Sequence, residues 1–216
     1  MKNNFAHPIT VRQQRRRGFT LTEIAIVLGI VGLILGAIWV AAAAVYNNLR
    51  TSHANTEVLQ IAQAVRSLYA TTGTISGAPT AAEFTDSLVC AKAVPADMIA
   101  TACGAGTLVD PWANGATTVT PDTDGAGFVI SMTNVPEANC VGLIMAVAGS
   151  GRDPGLFYAE GTAAAPGAMA TLTPFTPDEI ATPAAAIAGA GGTIANFGGC
   201  SAVGSTGAVA FGFTLK

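Results

Sequence analysis

Arg15-Arg16-Arg17-Gly18-Phe19-Thr20-Leu21-Thr22-Glu23, running into the apolar segment Ile24–Val45, decides the architecture of this 216-residue chain. Three arginines close a basic leader, one glycine follows, and a single carboxylate stands ahead of 22 uncharged residues. About 20 helical residues cross a bilayer, so this segment is long enough to span one. Glu23 then sits at the mouth of a membrane helix. An acidic side chain there costs a few kcal/mol, roughly 2.5–3.5 at the centre and less toward an end. A residue retained at such a cost requires a partner.

The run Gly18-Phe19-Thr20-Leu21-Thr22-Glu23, followed by a long apolar helix, resembles the processing site of type IV prepilins. The resemblance implies that a prepilin peptidase cuts between Gly18 and Phe19 and methylates the new amino terminus on Phe19. Glu23 would stay in the mature chain as the assembly residue. The physical logic agrees, because cutting creates a cationic amine four residues from the carboxylate. The amine of one subunit can neutralise Glu23 of a neighbour, turning two costly charges into one paired contact.

Two plainer readings compete. A secretory signal peptide also has a basic start and an apolar middle, and Ala41-Ala42-Ala43-Ala44 supplies small residues for its peptidase. Its apolar region, however, runs to only about 7–15 residues, and Glu23 would lie directly at its head. A simple membrane anchor leaves the glycine after three arginines unexplained. Lys2, Arg12, Arg15, Arg16 and Arg17 precede the span without any acidic residue, which predicts a cytoplasmic leader and a periplasmic domain beyond Val45.

Removing residues 1–18 leaves five basic and thirteen acidic side chains, a net charge of −8. Phosphate recognition calls for basic patches, so no specific nucleic-acid partner is expected. Beyond Tyr46-Asn47-Asn48, the residues Leu49, Val58, Ile61, Ala62, Val65, Leu68 and Tyr69 recur at intervals of three and four. This predicts one helix from about Leu21 to Ala70, broken by Thr71-Thr72-Gly73-Thr74. Gly29, Gly32 and Gly36 fall near one face, with Gly32 and Gly36 spaced for close approach of a second helix. Glycine is also simply common in membrane helices.

The reading divides the chain into a cleaved leader (1–18), a long helix (19–70, with 24–45 as membrane span and filament core) and a globular domain (71–216). In the domain, Phe128, Ile130 and Met132 share one parity, as do Val209, Phe211, Phe213 and Leu215, which predicts strands. Thr117–Thr120 and Leu156–Tyr158 are weaker strand candidates. Cys140–Val147 fits a buried helix or a strand equally. Thr176-Pro177-Asp178-Glu179 has the form of a helix start. The expected fold is α+β, with the long helix packed against an antiparallel sheet.

Four cysteines suit an oxidising compartment, and three pairings are open from sequence alone. Cys90–Cys103 would close a short loop and Cys140–Cys200 a long one, worth about 3 and 4 kcal/mol in chain entropy. No cysteine pair has the two-residue spacing of a zinc site, so no metal is expected. Asp122-Thr123-Asp124-Gly125 lacks the remaining calcium-loop ligands and reads as a turn. Gly149-Ser150-Gly151-Arg152-Asp153 lacks the Lys-Ser/Thr of a phosphate loop and also reads as a turn. Only His7 and His53 exist, and no catalytic set forms around either. Neither an enzyme nor a cofactor is expected.

A second resemblance narrows the subfamily. Asp110-Pro111-Trp112, the stretch Phe128-Val129-Ile130-Ser131-Met132-Thr133-Asn134-Val135-Pro136 with Cys140, and Gly199-Cys200 through Phe213 are similar to the type IVb pilins. These include the subunits of toxin-coregulated pili and of conjugative thin pili. Two features depart from that pattern: an 18-residue leader intermediate between subclasses, and a phenylalanine as first mature residue. The resemblance implies a pilin roll and a Cys140–Cys200 disulfide bounding a variable outward surface, with Cys90–Cys103 as the other pair. It further implies a homopolymeric pilus used for adhesion, aggregation or mating contact. The subunit would wait in the inner membrane for a pilus assembly platform and become extracellular on assembly. A pseudopilin of a type II secretion system is the alternative, since it shares the processing and the helix.

Overall fold

The computed structural model describes residues 20–77, 79–112, 115–149, 153–162 and 206–215. Helix α1 runs from Leu21 to Tyr69, ending one residue short of the expected Ala70. The chain divides into two compact units, Met1–Ala44 and Val45–Lys216, and α1 contributes to both. In the first unit the helix is apolar all round. Its most apolar stretch is long enough to cross a membrane, and none of it is buried. In the second unit the helix becomes amphipathic, and Ala54, Val58, Ile61, Ala62 and Val65 are fully buried.

The predicted stripe needs one correction. Leu49 and Leu68 are 62% and 43% exposed. At 3.6 residues per turn Leu49 projects about 180° away from Val58, and Leu68 falls at the margin of the stripe in the last turn. Glu57, absent from the expected stripe, is buried instead.

Among the described residues six strands form one antiparallel sheet: β1 (Ile99–Thr101), β2 (Thr107–Val109), β3 (Ala116–Pro121), β4 (Gly127–Pro136), β5 (Leu156–Thr162) and β6 (Thr206–Thr214). Their spatial order is β1-β2-β3-β4-β6-β5. Register places Phe128 opposite Phe213, Ile130 opposite Phe211 and Met132 opposite Val209. All six side chains are fully buried, in the same core as the α1 stripe. The Phe128 and Phe213 rings stack at 5.7 Å. Each such residue contributes about 1.5–3 kcal/mol through burial, which makes this contact the main force holding helix and sheet together. The intervening residues Val129, Ser131 and Ala210 are buried as well, so the central strands are covered on both faces. Asn134, with φ 56°, takes up the register shift between Met132 and Val135.

Cys140–Val147 resolves as helix: α3 spans Glu137–Ala148. A helix not anticipated, α2 (Ala81–Cys90), opens on a reciprocal capping box between Thr80 and Glu83. Asp122–Gly125 is a turn linking β3 to β4, with Gly125 at φ 64° and the Asp122 N–H bonded to the Gly127 carbonyl at 2.9 Å. Of Gly149–Asp153, the described residues are Gly149 and Asp153. The Thr176–Glu179 helix start lies outside the described residues.

Arg66 ties the end of α1 to the sheet. It donates to Asp153 Oδ2 (2.6 Å) and to the Thr214 carbonyl (3.0 Å), and its guanidinium lies 5.6 Å from the centre of the Phe213 ring. Gly155 passes directly beneath, and a Cβ there would run into the guanidinium. Gly155→Ala should therefore displace Arg66 and destabilise the domain by about 1–3 kcal/mol. The check is a lowered midpoint in thermal unfolding of the full chain, with α1 helicity retained.

Candidate assembly element

The start of α1 is built by Thr20. Its carbonyl accepts from the N–H groups of Glu23 (3.1 Å) and Ile24 (3.2 Å), and its hydroxyl accepts from Glu23 N–H at 3.3 Å. Threonine followed three residues later by glutamate is the sequence form of a helix start. Glu23 thus occupies the first turn, exposed, where the unsatisfied amides and the helix dipole favour a negative charge. Its carboxylate has a local reason to be there as well as a proposed partner on another chain. Gly18 and Phe19 lie outside the described residues.

Beyond Glu23 the first unit presents an uninterrupted apolar surface, with Leu33 75% and Trp39 79% exposed. A soluble monomer does not leave such a surface open to water. A Cβ added at Gly29, Gly32 or Gly36 would meet nothing within 4 Å. Each glycine costs about 1 kcal/mol relative to alanine in a helix interior, and no contact within the described chain calls for it. What these positions offer is room for another helix.

In the second unit the expected Cys90–Cys103 disulfide is present. Cys140 is also disulfide-bonded, and Cys200, the partner expected for it, lies outside the described residues. His53 is exposed and bonds through Nδ1 to Glu57 Oε1 at 2.8 Å.

Glu57 and Asp110 are two buried acids whose roles sequence reasoning missed. The second oxygen of each, Oε2 and Oδ2, is buried without a hydrogen-bond partner among the described residues. Burial pushes the Glu57 carboxyl up to about 7 against the lowering effect of His53, and the charges of Asp110 and Asp97 raise it further. Burial likewise pushes Asp110 up to about 6, opposed by backbone N–H donors from Trp112 and Thr133. The Trp112 N–H reaches Asp110 Oδ1 at 2.9 Å, and a Cβ at Gly115 would collide with this carboxylate. For Glu57 the signal was legible, since it falls between Ala54 and Ile61 on the buried stripe.

Comparison with known proteins follows the same division. The family model described as "PilS N terminal" matches residues 48–182, and that described as "Prokaryotic N-terminal methylation motif" matches residues 13–39. Among solved structures, the chain is similar to TcpA, a type IV pilin from Vibrio cholerae El Tor biotype. That match has a TM-score of 0.51 and 20% identity, and covers 77% of this chain and 99% of the other. No curated protein sequence matches. At that identity the structural likeness speaks for the fold alone: a long N-terminal helix with an antiparallel sheet, as in type IV pilins.

Proposed function

Because the chain belongs to the PilS family and carries a prepilin methylation motif ahead of a type IVb-like pilin fold, we propose that its mature form polymerises into an extracellular type IV pilus. The observation that carries this reading is the first half of α1, apolar on every side and unburied, with a carboxylate in its first turn. Such a helix needs lipid before assembly and other copies of itself afterwards. Cleavage between Gly18 and Phe19 supplies the amine that pairs with Glu23 of an adjoining subunit. Gly29, Gly32 and Gly36 allow close helix contact in the filament core. The family and the fold are structural rather than enzymatic. Adhesion, aggregation or mating contact would then be the work of the exposed domain surface, with Cys140–Cys200 as its boundary.

Mass spectrometry of the mature subunit tests the processing step. The expected N-terminal peptide begins at Phe19 with one added methyl group, and the cysteines are found as Cys90–Cys103 and Cys140–Cys200. A mature terminus beyond Val40 would mean that the helix had been discarded, and would end the proposal. Electron microscopy of shed material separates long filaments from the short periplasmic assembly of a pseudopilin.

A further inference from the structure

A cleft of ≈ 600 Å³ lies between the first turns of α2, the loop Gly104–Gly106 and strands β2 and β3. Ala81, Ala82, Ala105 and Leu108 give it apolar walls. Its rim carries two acids, Glu83 and Asp86, and no basic residue among those described lines it. Among the described residues neither acid is in an ion pair. The loop wall is fixed in advance, because Asp86 Oδ1 accepts the N–H groups of Gly104 (2.9 Å) and Gly106 (2.6 Å), and Cys103 is bonded to Cys90. Thr117, only 1% exposed, also lines the cleft, and its hydroxyl has no hydrogen-bond partner among the described residues. The contrast with its neighbour is instructive: the Thr85 hydroxyl is fully used, donating to the Val119 carbonyl and accepting the Val119 N–H. Buried hydroxyls in folded proteins are ordinarily satisfied, so an unpaired one lining a cleft is available to a polar group of a bound molecule.

We propose that this cleft binds an aliphatic amine: an ammonium group on an alkyl stem. The stem fills the alanine- and leucine-lined space, the cation meets Asp86 and Glu83, and the Thr117 hydroxyl is left to bond a polar group at the buried end. The volume falls within the range of about 300–1,000 Å³ usual for small-molecule sites. An anion would be repelled by the rim, and a neutral apolar molecule would make no use of the rim's negative charge. Assembly of the helix requires none of these residues, so the site is independent of the polymerisation reading.

The test uses the ¹⁵N-labelled mature subunit in detergent micelles, titrated with 1,5-diaminopentane, with pentane-1,5-diol as the uncharged isostere. The diamine should give saturable amide shifts confined to Ala81–Asp86, Gly104–Leu108 and Ala116–Thr118, and the diol should bind at least about tenfold more weakly. Asp86→Asn, which keeps an oxygen for the loop amides, should weaken the diamine about tenfold, and Thr117→Val should weaken it severalfold without loss of fold. A third titration with Nα-acetyl-lysine amide identifies the source. Tighter binding than the diamine points to a lysine side chain of another protein, weaker binding to free amines. Absence of saturable shifts, equal binding of the diol, or full affinity in folded Asp86→Asn would each overturn the proposal.

Discussion

Glu23→Val is expected to abolish shed filaments while leaving the subunit inserted in the membrane at normal abundance. The bonds that start α1 run from the backbone N–H of residue 23 to Thr20, and valine retains that N–H. What the substitution removes is the carboxylate alone. Losing its favourable position at the helix dipole costs about 0.3–1 kcal/mol, too little to unwind a 49-residue helix. Burying a valine in lipid is, if anything, easier than burying a charge. Absent filaments would therefore report the loss of a partner for the neighbouring amine. Immunoblotting of membrane and sheared fractions, with electron microscopy, provides the check, and normal piliation by the variant would refute the assigned role.

The second large effect is on pH. Glu57 and Asp110 have folded-state pKa values raised from 4.5 to about 7 and from 3.8 to about 6. A carboxyl raised in this way contributes its full stability below the unfolded value and loses it as pH rises through the folded value. The windows are thus roughly pH 4.5–7 for Glu57 and 3.8–6 for Asp110. At about 1.4 kcal/mol per pH unit before solvent screening, which reduces it, the pair accounts for at most a few kcal/mol between pH 5 and 8. The melting temperature should be higher at pH 5 than at pH 8, by on the order of 10 °C for a chain of this size. Asp153 acts in the opposite sense, because its bond to Arg66 lowers its pKa and its contribution is lost on strong acidification. Glu57→Gln should flatten the fall above pH 6, where Glu57 rather than Asp110 is the acid of the pair still losing its proton, and leave the lower part in place. A wild-type melting temperature that is level from pH 5 to 8 would show that these acids find partners.

The sequence made some of this visible and hid the rest for identifiable reasons. The long helix was legible because its second half repeats apolar residues every three or four positions and its first half is apolar without interruption. Phe128-Ile130-Met132 and Val209-Phe211-Phe213 were legible as strands because one parity is large and apolar. Their mutual pairing was not, since it depends on contacts between residues some eighty positions apart. Helix α2 was missed although Thr80-Ala81-Ala82-Glu83 is a complete capping box with Phe84, Leu88 and Val89 following on the buried side. A 10-residue helix offers too few turns for periodicity to stand out, and the cap had to be sought on its own. Strands β1 and β2 are three residues each, too short for alternation to register. Asp110 entered only as part of a recognised motif, and its burial is a property of the fold around Trp112 and Gly115.

Strand β6 belongs to the far end of the chain, yet it lies between β4 and β5 and pairs with both. A chain lacking Thr206–Thr214 holds two strands, β4 and β5, that do not pair with each other, each with an open edge. The sheet is therefore closed only when Thr206–Thr214 is in place. Truncated products would keep the apolar helix but present unpaired strand edges, the usual starting points of aggregation.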